Sequence, residues 1–397
     1  MKLIRNYNVL TFSLFSLLWT ALSYAGGGTI EKLCRDFPAD PVCQTKHLTF
    51  KDVFRDVVVA AGTGYPGYKD GIGTTAILNR PHGLAQSHSG IIYFADRGNH
   101  QIRTFDPNTN EVNTIAGNGE KGFLDGSIKT AKFNQPVAVT VSRTGTIYVA
   151  DRDNHMIRAI SPTGIVSTFA GTGLPGYIDG ASLNAKFNEP YGVVLDKDEQ
   201  NLLVADYLNH AIRIINLTTG IVSTFAGNGQ RGSQNGFGAS ARFNQPYNII
   251  RGSNGNYFVP DQKNHSIRKI TIAGEVTTVA GGNGQGYLDG KDVDAKFNNP
   301  TGLAITKTRI LFVSDRNNHR IRKIDSAGIV TTLAGTGLYG EIDGSLEDAQ
   351  FNKPLDIIVD KTSGNLIISE DSGHKLRRVR LKFYEVKKRE AVCLPFL

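Results

Sequence analysis

The chain has 397 residues, and its 44 lysines and arginines outnumber its 36 aspartates and glutamates, which gives a formal net charge of +8. The basic residues are spread along the chain, apart from short runs at 377–378 and 387–389, so the charge favours a solvated surface over adhesion to an anionic one. The cysteines Cys34, Cys43 and Cys393 lie far apart without repeating ligands beside them, which is a poor signature for a metal site.

The first 25 residues have the features of a cleavable export signal. Lys2 and Arg5 precede an apolar run from 9 to 22, and small residues follow. The run is too short to span a bilayer, and no other segment of the chain is long and apolar enough to do so. We therefore expect removal of residues 1–25, which lowers the formal charge from +8 to +6, and a mature protein that is periplasmic or secreted.

Residues 53–381 contain one motif six times. In each copy an acidic residue stands four places before a histidine, and an arginine follows the histidine by three places. The histidines are spaced by 55, 55, 55, 54 and 55 residues: His100, His155, His210, His265, His319 and His374. The acidic residues are Asp96, Asp151, Asp206, Asp261, Asp315 and Glu370, and the arginines are Arg103, Arg158, Arg213, Arg268, Arg322 and Arg377. A fixed period in this range is typical of a propeller, solenoid or array.

One unit reads as four short strands. In the second copy they are predicted at 137–141, 146–150, 156–160 and 165–170, with Gly, Asp and Asn at the turns between them. Four short strands without room for a helix describe a blade of a β-propeller. The fold class is therefore all-β, a six-bladed propeller of four-stranded blades.

The two ends of the repeat region complement each other. Residues 57–61 match the fourth strand of a unit without the first three, and the last unit lacks a clear fourth strand. We expect the N-terminal strand to complete the C-terminal blade, which closes the ring and removes two unpaired sheet edges. Closure brings the termini together, so the segment 26–52 with Cys34 and Cys43 meets the tail 382–397 with Cys393. Export permits a disulfide, closure allows Cys393 to pair with Cys34 or Cys43 as a hypothesis, and the sequence leaves open which pair forms.

A 20-residue connector links each blade to the next, as from Ala116 to Pro136. Each connector carries an Asp-Gly or Asn-Gly pair, which favours turns with positive φ. A calcium site is disfavoured, because one carboxylate per loop is fewer than calcium gathers. Five connectors end in Phe-Asn-x-Pro, and we expect the phenylalanine to fill the space between adjacent blades.

The repeated motif is interpreted as structural. Strand alternation places Arg158 partly within apolar packing, so it requires a nearby carboxylate, for which Asp151 is the obvious candidate. His155 is expected to satisfy backbone groups of a neighbouring blade. Six equivalent copies favour a structural role over ligand or metal binding, since a binding site rarely needs six equivalents.

These motifs resemble the NHL repeat over about residues 57–380. The A-G-x-G, D-G and F-N-x-P connector is similar to the extended form in exported bacterial propeller proteins and in the propeller of teneurins. The resemblance implies a propeller fold. It leaves function open, because family members bind RNA, bind proteins or serve as extracellular sensor domains, and related propellers act as lyases.

A specific site in such a ring must come from positions where the copies differ. The residues after each proline, which line the axial mouth, include Tyr191 and Tyr247, with Asn248 one place further on. The variable turn positions on the same face hold Arg97, Arg152, Tyr207, Lys263 and Arg316. Aromatic, amide and guanidinium groups on a shallow bowl predict recognition of a polar or anionic protein or peptide partner by a monomeric propeller.

An enzyme is the alternative. Only His82 and Asp356 are placed at the axial mouth for lyase or hydrolase chemistry, with or without one divalent metal ion. Their unit positions are adjacent across the ring closure. We find no hydrolase elbow, zinc-protease motif or dinucleotide fingerprint, so recognition without a cofactor is preferred over catalysis. Export disfavours a nucleic-acid partner.

Overall fold

The computed structural model describes residues 54–381. These residues form six antiparallel sheets, which are the six blades of a propeller. The predicted export signal and the three cysteines lie outside the described residues. No helix within 54–381 is long and apolar enough to cross a membrane.

Each blade contains the four predicted strands, ordered outward from the axis. The first strands are Pro81–Gln86, Pro136–Val141, Pro190–Leu195, Ile250–Arg251, Pro300–Ile305 and Pro354–Val359. The second strands are Ile92–Asp96, Ile147–Asp151, Asn201–Asp206, Tyr257–Asp261, Leu311–Asp315 and Leu366–Glu370. The third strands are Gln101–Phe105, Met156–Ile160, Ala211–Asn216, Ser266–Ile270, Arg320–Ile324 and Lys375–Leu381. The fourth strands are Glu111–Ala116, Ile165–Ala170, Ile221–Ala226, Glu275–Gly281, Ile329–Ala334 and, in the sixth blade, Phe54–Ala61.

A fifth, two-residue strand lies outside the fourth strand of each blade. These edge strands begin at the Gly of each Asp-Gly or Asn-Gly pair: Gly71–Ile72, Gly126–Ser127, Gly180–Ala181, Gly236–Phe237, Gly290–Lys291 and Gly344–Ser345. The connector therefore does more than turn, because it also pairs with the edge of the blade into which it leads. A strand of two residues is too short to show the alternation of apolar and polar side chains from which strands are predicted, so nothing in the sequence indicated it.

Short 3₁₀ helices lie in the connectors and in the turns between second and third strands. The connector helices are Gly73–Thr75, Gly238–Ser240 and Asp292–Asp294. The turn helices are Arg97–Asn99, Arg152–Asn154, Tyr207–Asn209, Gln262–Asn264 and Arg316–Asn318. Connectors and turn helices share one face of the ring, which we name the loop-rich face.

The N-terminal strand closes the ring, as the sequence predicts. Phe54–Ala61 pairs antiparallel with Lys375–Leu381, with Val57 opposite Val379. The Arg380 guanidinium donates two hydrogen bonds of 2.7 Å to the Asp56 carboxylate. Val57 is completely buried, so apolar packing as well as backbone pairing holds the closure.

The core consists of apolar layers between neighbouring blades. Phe133 is fully buried in a cluster with Ala95 and Ile102 of the first blade and Val149 and Ile160 of the second. The equivalent connector side chains, also fully buried, are Leu78, Phe187, Phe243, Phe297 and Phe351. The prediction that this side chain fills the space between blades is confirmed.

Candidate functional site

The repeated arginine forms a buried hub in every blade. The Arg103 guanidinium donates to the carboxylates of Asp96 at 2.6 Å and Asp70 at 2.8 Å. It also donates to the carbonyl oxygens of Ile77 at 3.1 Å and Lys69 at 2.9 Å. All six arginines are completely buried: Arg103, Arg158, Arg213, Arg268, Arg322 and Arg377. A buried guanidinium requires such compensation, so the arginine joins the second strand of a blade to the connector that leads into it.

The second carboxylate of this hub was not predicted. The connector aspartate was interpreted as a turn residue, yet Asp125 contacts Arg158 and also accepts hydrogen bonds from the backbone N–H and hydroxyl of Thr168 at 3.0 and 3.1 Å. In the fourth blade Asn235 takes its place and accepts from Arg268 at 2.8 Å. The available signal was the spacing between this aspartate or asparagine and the arginine, which is 33 residues in four blades and 34 in two.

The six histidines connect neighbouring blades. His155 adopts left-handed backbone at φ 54°, and its Nδ1 accepts a hydrogen bond of 3.1 Å from the backbone N–H of Glu189. Burial lowers the pKa of His155, which keeps Nδ1 unprotonated and able to accept. The equivalent bonds join His100 to Gln135, His210 to Gln245, His265 to Asn299, His319 to Lys353 and His374 to Arg80. In every case the histidine Nδ1 accepts from the backbone N–H of the residue that precedes the connector proline of the next blade.

An aromatic plug fills the axial channel below the loop-rich face. It consists of His82, Tyr191 and Tyr247, which are 3%, 7% and 8% exposed. His82 Nδ1 lies 2.6 Å from the Val137 carbonyl oxygen, and Nε2 lies 2.8 Å from the Tyr247 hydroxyl. Because a carbonyl only accepts, Nδ1 carries the proton and Nε2 accepts from the hydroxyl. This bond crosses the axis, since His82 belongs to the first blade and Tyr247 to the fourth.

Asp356 lies in the layer beneath the plug. Its carboxylate accepts hydrogen bonds from the backbone N–H groups of Leu84 at 2.8 Å and Ile357 at 2.9 Å. The Asn248 amide donates a third bond of 2.9 Å. Within residues 54–381 none of the hydrogen-bond partners of this carboxylate is a cation, and burial raises the pKa of Asp356 to about 7. Asn248 therefore holds Asp356 and is only partly exposed.

Six turn residues surround the plug on the loop-rich face. They occupy the first position after each acidic residue, and we name them the turn ring: Arg97, Arg152, Tyr207, Gln262, Arg316 and Asp371. Tyr207 packs against Tyr191 with ring centroids 4.5 Å apart and the rings tilted by 38°. Arg152 lies over the Tyr191 ring, with Cζ 5.4 Å from the centroid.

The structure changes the predicted composition of this face. Lys263 is exposed but stands one place later in its turn, so Gln262 holds the equivalent ring position. Asp371 was also missed; it is 3% exposed and pairs with Arg316 at 3.1 Å. Tyr191 and Tyr247 form the floor of the bowl instead of an accessible surface. Counting positions from each repeated acidic residue would have identified both missed members.

The predicted catalytic pair lines one narrow space without a mutual hydrogen bond. Both ring nitrogens of His82 have partners, and both oxygens of Asp356 accept bonds from other groups. Within residues 54–381 no three His, Cys, Asp or Glu side chains are grouped to hold a metal ion. Two engaged side chains do not fit a divalent ion, which needs more ligands than they offer.

Comparison with known proteins agrees with the repeat and the ring. The NHL repeat model matches residues 133–160 and 297–324, which run from the connector phenylalanine to the end of a third strand. This chain is an NHL-repeat β-propeller. The repeat spans the first three strands of a blade together with the aspartate, histidine and arginine described above.

The relatives of this NHL propeller are longer proteins. It is 33% identical over 285 residues to Protein SUPPRESSOR OF QUENCHING 1, chloroplastic, of Arabidopsis thaliana, which covers 68% of this chain and 27% of the relative. It is 28% identical over 370 residues to NHL repeat-containing protein 2 of Bos taurus, covering 84% and 50%. The chain thus spans between about a quarter and a half of the length of these curated relatives.

A solved structure shows the same fold. An auxiliary nutrient binding protein from Bacteroides thetaiotaomicron superposes with a TM-score of 0.65 at 15% identity, covering 83% of this chain and 76% of the other. At that identity the similarity concerns the fold alone.

Proposed function

We propose that this NHL propeller is an exported binding module that recognises a protein or peptide partner through its loop-rich face. The observation that carries the proposal is the turn ring. Its six equivalent positions above the closed channel differ between blades and include guanidinium and phenol groups. Arginine and tyrosine are enriched among residues that dominate protein interfaces.

The closed channel favours a surface partner over a small molecule. The cavity between His82, Tyr191, Tyr247 and Asp356 has a volume of about 10 Å³, room for roughly one water molecule. Small-molecule sites usually enclose roughly 300–1,000 Å³. A partner approaching from the loop-rich face therefore meets side chains at the rim before it reaches any cavity.

The charge pattern of the face favours a protein over a nucleic acid. Asp153, Glu189 and Asp371 lie among the arginines and pair with them. A surface for a phosphate backbone is instead uniformly basic. Interleaved acids and bases suit the mixed charges of a folded partner or a peptide.

The test is crosslinking and co-purification from the native envelope fraction. We compare the wild type with the triple variant Arg97→Gln, Arg152→Gln and Arg316→Gln. The control variant, Arg143→Gln, Lys197→Gln and Arg309→Gln, removes the same charge from turns between first and second strands on the opposite face. The proposal predicts that only the turn-ring variant loses its crosslinked partners, while circular dichroism shows both variants folded at the temperature of the capture experiment. Retention of every partner by the turn-ring variant contradicts it.

Export and a monomeric state belong to the same proposal. Residues 1–25 motivate the export prediction, and mass spectrometry of the mature protein should show an N-terminus at Gly26. Light scattering during size-exclusion chromatography should give the mass of one chain. An intact N-terminus in the cytoplasm contradicts export, and a dimeric mass contradicts the monomer.

A lyase or hydrolase site at the channel is the second candidate function. It is motivated by the shared location of His82 and Asp356 and by the pKa of Asp356, which burial raises to about 7, the range of a general acid or base. Metal analysis of the purified protein, followed by titration with divalent ions, tests a metal-dependent enzyme: stoichiometric metal that is lost in His82→Gln favours catalysis and contradicts the ligand count above. Partner capture that is unchanged in His82→Gln and Asp356→Asn favours recognition.

A further inference from the structure

We propose that Arg97 is the docking point for a carboxylate group of the peptide or protein partner. This inference rests on the proposed function and names the chemistry that the loop-rich face recognises. The carboxylate belongs either to an acidic side chain or to a chain terminus. Comparison of two neighbouring blades supplies the first reason.

Arg97 and Arg152 hold equivalent positions but differ in their neighbours. Arg152 pairs with Glu189 at 2.9 Å and with Asp153 at 3.5 Å. Gln135 and Gly98 stand at the two corresponding positions beside Arg97. The first blade therefore keeps the guanidinium and lacks both carboxylates.

The free donors of Arg97 are available to a ligand. Its Nε donates to the Gln135 side-chain oxygen at 2.9 Å. Within residues 54–381 the two terminal nitrogens have no hydrogen-bond or ion-pair partner, and the side chain is partly exposed. A guanidinium with two free nitrogens presents the fork that binds a carboxylate through two parallel hydrogen bonds.

Positive charge exceeds negative charge around this arginine. The buried Asp371 carboxylate interacts electrostatically with Arg97, and Arg316 and Arg80 contact it at 3.1 and 3.4 Å. Burial alone would raise the pKa of Asp371, but Arg97, Arg316 and Arg80 together hold it below its usual value. Three guanidinium groups thus share one carboxylate, which leaves two positive charges for a ligand to offset.

The floor beneath Arg97 adds no competing charge. Burial lowers the pKa of His82 to about 3, and the charge of Arg97 adds to this shift, so the imidazole is neutral. The Tyr191 ring packs 5.8 Å from the His82 ring and covers that side of the bowl. Ion pairs strengthen where aromatic side chains reduce exposure to water.

The discriminating variant is Gln135→Glu, which gives Arg97 the carboxylate that Arg152 already has. Glutamate is accepted at this position, because Glu189 adopts the same left-handed backbone, φ 51° against 53° for Gln135. Asn299→Glu is the charge-matched control, since Asn299 holds the equivalent position in the fifth blade at φ 52°. Both variants add one negative charge to the same ring of residues.

The probes are three short peptides, titrated calorimetrically at low ionic strength. One carries two glutamates between blocked ends, the second replaces them with glutamines, and the third is the glutamine peptide with a free C-terminal carboxylate. We expect the wild type and Asn299→Glu to bind one or both carboxylate peptides equally. Gln135→Glu should bind them roughly tenfold to a hundredfold more weakly, as expected for loss of a charged hydrogen-bond pair.

The three peptides also identify the source of the carboxylate. Binding of the first alone assigns an acidic side chain, and binding of the third alone assigns a chain terminus. Equal binding by Gln135→Glu and the wild type, equal binding of the blocked glutamine peptide, or no binding of either carboxylate peptide overturns the inference. If Gln135→Glu still captures the envelope partners that the turn-ring variant loses, the carboxylate inference fails and the proposed function stands.

Discussion

Replacement of one buried arginine by methionine gives the sharpest prediction about the ring. Arg158→Met leaves the Asp151 carboxylate, which is completely buried, with hydrogen bonds from only the Asn134 N–H and the Asn154 amide. Breaking a buried ion pair by removal of one partner costs about 3–5 kcal/mol. We therefore expect the free energy of unfolding to fall by about that amount.

The pH dependence of this variant has a defined sign. Burial raises the pKa of Asp151 to about 6 even with Arg158 in place, and loss of the guanidinium raises it further. Such a group contributes stability below the unfolded pKa and loses it as pH rises through the folded pKa. Wild type and variant therefore lose stability together from the unfolded pKa of Asp, about 3.9, and the deficit of Arg158→Met should grow as pH rises above the wild-type pKa of about 6.

Chemical denaturation followed by circular dichroism measures both effects. Arg143→Met is the matched control: its side chain is 56% exposed in its ion pair with Glu199, and exposed pairs contribute about 0.2–1 kcal/mol. The double variant Arg158→Met with Asp151→Leu should recover most of the loss, because it removes the unpaired charge. A loss for Arg158→Met no larger than that for Arg143→Met, or no recovery in the double variant, refutes the buried-hub account.

Three further predictions concern the blade contacts, the channel and the closure. His155→Gly keeps an unstrained left-handed backbone but removes the acceptor of the Glu189 N–H. We expect the free energy of unfolding to fall by about 1–3 kcal/mol and hydrogen exchange at that amide to become faster. Unchanged exchange contradicts the role of the histidine. The wild type should lose stability as pH rises from the unfolded pKa of Asp356, about 3.9, through its folded pKa of about 7, and Asp356→Asn should not show this loss. Thermal melts across that pH range test the prediction. Parallel curves for both proteins exclude the assigned titration. Arg380→Gln disrupts an ion pair whose arginine is 40% exposed, so it should lower the free energy of unfolding by only about 0.2–1 kcal/mol. Val57→Asp places a charge in the core and should open the sixth blade to limited proteolysis. Equal proteolysis of both variants contradicts closure by apolar packing.

The sequence predicted the ring well because every strand of a blade is repeated. The spacing of His100 and its equivalents, and the isolated fourth strand at 57–61, were sufficient for the blade number and the closure. The edge strand Gly126–Ser127 was missed because a pair of residues has no period. Asp125 was assigned to turn chemistry because its partner, Arg158, lies 33 residues away in sequence.

The site was less predictable because it depends on distances across the axis. The position after the connector proline correctly placed His82, Tyr191 and Tyr247 at the channel. Their mutual contacts depend on the radius of the ring, so the sequence did not reveal that they bury one another. Arg97 was identified as a surface residue, but its lack of a carboxylate partner became visible only beside the pairing of Arg152 with Glu189.

Hydrogen exchange of the propeller with and without its co-purified partner tests the assignment of the binding face most directly. The account predicts that the partner slows exchange in the turns at 97–99, 152–154, 207–209 and 316–318, which carry the turn ring. Turns at 142–145 and 306–309 on the opposite face should exchange at the same rate in both samples. Protection confined to the opposite face would contradict recognition through the loop-rich face.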